Sequence, residues 1–149
     1  MGFGQISLKG RALKLLSMRE HSRKELERKL ASHEAEPGQL KTALDELQAR
    51  GFIDEQRVVD SVVHRRSGRL GAGRIKQELQ AKGLDAERVA LAVASLRATE
   101  VERAREVWRR KFGVLPADAA QRAKQARFLA ARGFGGEVIQ RVLRTADDA

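Results

Sequence analysis

Five aliphatic residues, Leu26, Leu30, Leu40, Leu44 and Leu47, recur as Ile75, Leu79, Val89, Val93 and Leu96 when the chain is displaced by 49 residues. A displacement of 50 carries Leu79, Gly83, Leu84, Val89 and Val93 onto Leu129, Gly133, Phe134, Ile139 and Leu143, with a break where Ile75 meets polar Gln125. Repetition at this period builds a stack of supersecondary units. Each is too small to bury its apolar face alone, and such stacks present extended surfaces to partners. The period therefore favours binding over catalysis. Three units are expected, at 1–52, 53–98 and 99–149, each near the lower limit of independent stability.

Apolar spacing within the units is helical. Ala12, Leu15 and Leu16, and Leu40, Ala43, Leu44 and Leu47, follow the i, i+3, i+4, i+7 pattern. The doublets Val58-Val59 and Val62-Val63 lie four apart, on one side of a helix, where a strand would need strict alternation. The expected fold is all-α, with nine helices at about 10–20, 22–33, 37–50, 54–67, 72–82, 86–97, 100–112, 117–132 and 136–146. Grouped in threes, they form three tandem three-helix repeats in an elongated, curved array.

Local chemistry marks the helix ends. Ser22 with Glu25, and Thr99 with Glu102, have capping-box spacing, which predicts helix starts at both. Asp54 and Asp85 are expected N-caps, each with the spacing of a hydrophobic staple, Ile53 with Val58 and Leu84 with Val89. Gly51, Gly83 and Gly133 can adopt positive φ and predict helix stops. The pairs Leu47/Phe52, Leu79/Leu84 and Leu129/Phe134 stand at the spacing of the Schellman apolar contact. Pro37 and Pro116 are expected near helix starts, where a missing N–H is harmless.

Thirty basic against twenty acidic residues give a net charge of +10, which points to an anionic partner, either nucleic acid or an acidic protein surface. The basic clusters are Arg23, Lys24, Arg28, Lys29; Arg65, Arg66, Arg69, Arg74, Lys76; Arg109, Arg110, Lys111; and Arg122, Lys124, Arg127, Arg132. Residues 34–53 are net acidic and 83–98 neutral, so a discontinuous basic face is expected. Aromatic residues are few, tyrosine is absent, and Trp108, Phe112, Phe128 and Phe134 fall at or near core spacing. Stacking on unpaired bases is poorly supported.

The segment Ser67-Gly68-Arg69-Leu70-Gly71-Ala72-Gly73 reads as a flexible connector, with an anion contact as the alternative. It lacks the Lys-Ser/Thr of a P-loop, carries Lys76 at the third glycine position of a dinucleotide fingerprint, and follows a helix instead of a strand. There is no cysteine, and His21, His33 and His64 have no helical ligand pair, so neither a disulfide nor a metal site is expected. His21 reads as a turn residue. Glu102 and Glu106 stand one turn apart among arginines, as on a solvated helix face. No catalytic constellation or cofactor motif is found. The start, Met1 to Ser7, has no signal-peptide core and its serine is misplaced for myristoylation. No transmembrane run is found, and a soluble intracellular monomer is expected.

Several ordered segments carry a family resemblance. These are Ala12 to Leu16, Arg19 to Leu26, Gly51-Phe52-Ile53-Asp54, Arg74 to Leu79 with Lys82-Gly83, Arg110-Lys111-Phe112, and Ala126 to Leu129 with Arg132-Gly133-Phe134. Over about residues 8–144 the chain resembles the RecX family of bacterial recombination regulators. The resemblance implies a cytoplasmic modulator of the RecA recombinase, made of three three-helix units. It would lodge in the groove of the RecA–DNA filament and restrain ATPase, strand exchange and coprotease activity. Val58-Val59 departs from the family's phenylalanine and small residue after Arg57, which predicts local repacking. On this reading Arg65, Arg66, Arg69, Arg74 and Lys76, with Arg109, Arg110, Lys111, Arg122, Lys124, Arg127 and Arg132, meet acidic filament surface or DNA phosphate. The competing reading is a stand-alone helix-turn-helix-like DNA-binding protein.

Overall fold

The computed structural model describes residues 6–144, so most of the N-terminal segment considered above, residues 1–5, lies outside them. The described residues form nine α-helices and no strand. They are α1 (Leu8–Met18), α2 (Arg23–Leu30), α3 (Gln39–Ala49), α4 (Glu55–Arg66), α5 (Ala72–Ala81), α6 (Ala86–Arg97), α7 (Glu100–Lys111), α8 (Ala119–Ala131) and α9 (Gly136–Val142). A single 3-10 turn, Ala31–His33, extends α2. The helices pack in threes, α1–α3, α4–α6 and α7–α9, around three separate cores.

Most expected caps form. Ser22 and Glu25 make the reciprocal capping box, while Asp54 and Asp85 accept from the backbone N–H of Arg57 and Arg88. Gly51, Gly83 and Gly133 adopt φ of 82°, 74° and 95°. After each, the Schellman bond closes, from Phe52 to Leu47 (2.9 Å), Leu84 to Leu79 (3.4 Å) and Phe134 to Leu129 (3.2 Å).

Other expectations need correction. Thr99 does not cap α7: its hydroxyl donates to the Leu96 carbonyl and accepts from Arg103 Nε (3.2 Å), so no capping box forms with Glu102. Ser7 caps α1 two residues earlier than expected and Asp118 caps α8. Pro37 and Pro116 do lie near helix starts, just ahead of α3 and α8. Ile53 does not staple with Val58: it buries in the first core and Val58 in the second. Phe52 is half exposed, whereas its counterparts Leu84 and Phe134 are buried. The expected end of α9 at 146 falls outside the described residues, and the helix stops at Val142.

The break in the repeat has a physical explanation. Gln125, at the place of Ile75, is buried, but its side-chain oxygen accepts from Trp108 Nε1 (2.8 Å) and its amide donates to the Val114 carbonyl (3.1 Å). A buried polar group is tolerated when its donors and acceptors are matched. Val58 and Val59 are both buried in the second core.

The units join through their second helices. In the first joint, Ser22 Oγ at the N-cap of α2 donates to the Lys82 carbonyl (2.6 Å) and Arg28, in the last turn of α2, donates to the Ala81 carbonyl (2.7 Å), both at the end of α5. The second repeats this one unit on. At the start of α5, Gly71 N–H donates to the Arg132 carbonyl (2.8 Å), Gly73 N–H to the Gly133 carbonyl (3.1 Å) and Arg74 to the Ala131 carbonyl (2.7 Å), at the end of α8. In both, the positive N-terminal end of one helix meets carbonyls at the negative C-terminal end of the next. The glycines of the 67–73 segment therefore fit a tight backbone contact. A Cβ on Gly71 would stand 2.4 Å from the Gly133 carbonyl oxygen. The expected flexible connector is a fixed joint.

Candidate partner-binding interface

The segment leading to the second joint is held by two charged residues of α7. Glu100 is buried, and its carboxylate accepts from the Ala72 N–H (2.9 Å) at the start of α5. Arg103 donates to the carbonyls of Ser67 and Leu70 (both 2.9 Å) and of Leu96 (3.0 Å). Burial pulls the Arg103 pKa down and the nearby Glu100 carboxylate offsets it in part. Buried charges persist only when paired and hydrogen-bonded, and here the bonds fix the turn that carries Arg69.

That turn meets the ends of α7 and α8 in a cleft of about 280 Å³. Arg69, Arg110, Lys111 and Arg132 line it, over an apolar floor of Val107 and Phe128, and no carboxylate lines it among the described residues. Lys111 Nζ stands 5.5 Å and the Arg132 guanidinium 4.9 Å from the centre of the Phe128 ring, and Phe112 meets that ring edge-on at 5.4 Å. Ring quadrupoles attract cations placed this way. The cleft joins three separate stretches of sequence, the turn at Gly68-Arg69 and the ends of α7 and α8.

The other expected contact residues are not gathered there. Arg66 is paired with Glu78 (3.1 Å) and Arg74 is committed to the second joint, so both act within the fold. Arg109 and Arg110 share Glu106, whose carboxyl they hold below its usual range, Arg109 foremost. Arg122 donates to the Leu143 carbonyl (3.1 Å). Arg65, Lys76, Lys124 and Arg127 are exposed, without a hydrogen-bonding or ion-pair partner among the described residues. Lys76 stands at the rim of a separate groove of about 550 Å³ along α5 and α6, with Leu84, Val89 and Val93 in its wall. The sequence reading missed Glu100 and Arg103 as joint residues. The short connection from α6 to α7 was the signal, because it forces the first turn of α7 against the preceding unit.

His21 is a buried turn residue. Its Nδ1 faces the Arg19 carbonyl (3.0 Å) and its Nε2 the Lys29 ammonium (3.3 Å), an arrangement that suits the neutral ring with Nε2 accepting. Burial lowers its pKa accordingly. No helix among the described residues is long and apolar enough to cross a membrane.

Models of the first, second and third three-helix domains of RecX match residues 9–47, 54–93 and 98–143. The chain belongs to the RecX family. The regulatory protein RecX of Leptothrix cholodnii is 58% identical over 96% of this chain and 91% of its own length. That of Herminiimonas arsenicoxydans is 48% identical over 97% and 95%. The crystal structure of RecX from Lactobacillus salivarius superposes with a TM-score of 0.75 over 91% of this chain and 92% of its own, at 22% identity, and so shares the fold. The relatives' names describe regulatory proteins.

Proposed function

We infer that this chain restrains the RecA recombinase by binding along the RecA–DNA filament in the cytoplasm, slowing ATP hydrolysis and with it strand exchange and coprotease activity. The observation that carries the reading is family membership over nearly the whole chain, combined with three units held in fixed succession by two homologous joints. A linked array of this kind reaches several places on a polymeric partner, and two linked contacts raise each other's effective concentration. The exposed cations Arg65, Arg69, Lys76, Lys111, Lys124 and Arg127, with half-buried Arg132, supply attraction to an anionic filament. Arg66, Arg74 and Arg122 contribute through the fold that presents them. Each of the units 1–52, 53–98 and 99–149 contributes surface, and a monomer suffices.

The test is RecA ATPase on single-stranded DNA with and without the chain, beside its affinity for naked duplex and for RecA-coated DNA. Slowed hydrolysis with preference for the coated DNA is expected. Equal or tighter binding to naked duplex, with hydrolysis unchanged, would instead favour the stand-alone DNA-binding protein.

A further inference from the structure

The cleft at the second joint has a chemistry more specific than general positive charge. Its rim is cationic, from Arg69, Arg110, Lys111 and Arg132, while its floor is apolar, from Val107 and Phe128. Of the four cations only Arg110 is paired with a carboxylate, Glu106, which is not part of the lining. A ligand that satisfies both rim and floor must carry negative charge beside an apolar group. At about 280 Å³ the space is slightly below that of ordinary small-molecule sites and suits one large side chain with its neighbours.

A nucleic-acid strand fits poorly. Its phosphates would find the rim, but its bases would need an open aromatic face. Lys111 and Arg132 stand over the Phe128 ring, so a base finds no open face to stack on, whereas an aliphatic side chain needs only the part of the ring that lines the cleft beside Val107.

We propose that this cleft docks an acidic polypeptide segment, seating one of its apolar side chains on Val107 and Phe128 between carboxylates held by Arg69, Lys111 and Arg132. The site deepens the filament-binding reading by naming the part of the partner that is gripped: an exposed acidic stretch of protein. Arg103 and Glu100 are positioning residues for it, because they hold the turn that carries Arg69.

The test uses the full chain and a short labelled peptide of Asp and Glu around one central Leu, compared with the same peptide carrying Ser in place of Leu. Fluorescence anisotropy at near-physiological salt should show the Leu peptide bound at least about tenfold tighter, the effect expected from burying one aliphatic side chain. The Arg69→Ser/Lys111→Ser double variant should bind the Leu peptide no better than the Ser peptide. Lys14→Ser/Arg105→Ser removes equal charge from exposed positions outside both the cleft and the contact residues named above, and should cost no more than about twofold. Equal affinity for the two peptides on the unaltered chain overturns the proposal, as does a cleft variant that weakens a labelled single-stranded oligonucleotide as much as the peptide. Should the cleft variant lose helicity, the comparison of peptides on the unaltered chain still decides. RecA ATPase is scored separately: peptide binding without slowed hydrolysis refutes filament restraint and leaves the cleft standing, whereas slowed hydrolysis without peptide binding refutes the cleft alone.

Discussion

Gly71→Ala isolates the second joint from everything else in the protein. Gly71 is the N-cap of α5 at φ −81° and ψ 168°, a conformation any residue adopts, so alanine meets no backbone strain. The replacement changes little within the unit. Alanine is a poorer N-cap than glycine by several tenths of a kcal/mol, and a stiffer unfolded chain returns a similar amount. Across the joint the situation differs, because the new Cβ would stand 2.4 Å from the Gly133 oxygen, 2.5 Å from its carbonyl carbon and 2.6 Å from the Phe134 nitrogen. All three are backbone atoms, with no flexible side chain to yield. Relief requires the two backbones to separate by about 1 Å to reach ordinary contact distance. That stretches the bonds from Gly71 to Arg132 (2.8 Å) and Gly73 to Gly133 (3.1 Å), and strains that from Arg74 to Ala131 (2.7 Å). Three bonds weakened at about 0.5–1.5 kcal/mol each give an expected loss of about 2–4 kcal/mol.

Gly135→Ala supplies the matched control. Gly135 is the N-cap of α9 at φ −75° and ψ 158°, likewise without a side-chain cap bond, and nothing lies within 4 Å of its would-be Cβ. Urea denaturation followed by circular dichroism should show Gly135→Ala within about 0.5 kcal/mol of the parent and Gly71→Ala well below it. Equal stability of the two variants would refute the joint as a tight backbone contact. It would return the 67–73 segment to a flexible connector.

Three other outcomes follow from the same geometry. Gln125→Ala should cost about 1–3 kcal/mol and shift the emission of Trp108, the only tryptophan, because the indole N–H and the Val114 carbonyl lose their partner. Gln125→Leu, which restores the apolar repeat, should still fail to stabilise, and a clear gain would show that the indole N–H does not need the amide. Burial opposes ionisation of Glu25, but Arg19, the Ser22 N–H and Lys82 together hold its pKa at about 2 against an ordinary 4.5. A depressed carboxyl stabilises above its unfolded pKa, so Glu25→Gln should cost on the order of 2–3 kcal/mol near neutrality, with the gap closing as pH falls from about 4.5 to about 2. A gap constant with pH in denaturation titrations would exclude this origin. Severing the chain between Arg97 and Ala98 should give fragments that, even where helical, slow RecA far less than the intact chain, alone or mixed. The cut leaves Glu100 and Arg103 to find the preceding unit by association, and full activity in one fragment would assign the function to a single local surface.

What the sequence makes legible is chemistry confined to a few neighbouring residues. Gly51, Gly83 and Gly133 end helices because a positive φ and a following apolar residue are local requirements, and Ser22, Asp54 and Asp85 start them for the same reason. Thr99 has the same local credentials and fails, since Arg103 takes its hydroxyl while bonding back to the second unit. The joint glycines looked like flexibility because the backbone they touch, at Gly133, lies some sixty residues away. A net charge of +10 points to an anionic partner without sorting the cations. Arg66, Arg74 and Arg122 serve internal bonds, while Arg69, Arg110, Lys111 and Arg132 meet in one cleft. That sorting depends on how unit three sits on unit two, which no local pattern encodes.

The two joints meet the same demand with different chemistry, and the difference bears on how the array works. At the first joint, Ser22 and Arg28 reach carbonyls through side chains, Glu25 bridges to Lys82 at 3.3 Å, and Lys24 packs where a Cβ on Gly83 would collide. Side chains can re-orient, and ion pairs respond to salt and pH, so this connection has adjustable parts. At the second joint two backbones are in direct contact through three glycines, and Glu100 and Arg103 lock the turn from behind. Backbone contacts of this kind cannot slide without breaking their hydrogen bonds. The cleft lies at this second, stiffer joint, and its four cations come from three separate elements whose spacing must be held for one ligand to touch them together. A binding constellation gains affinity when its parts are fixed in advance, because ordering them is then no cost of association. The rigid joint thus stands where the proposed composite site requires it, and the joint with adjustable parts lies away from that site.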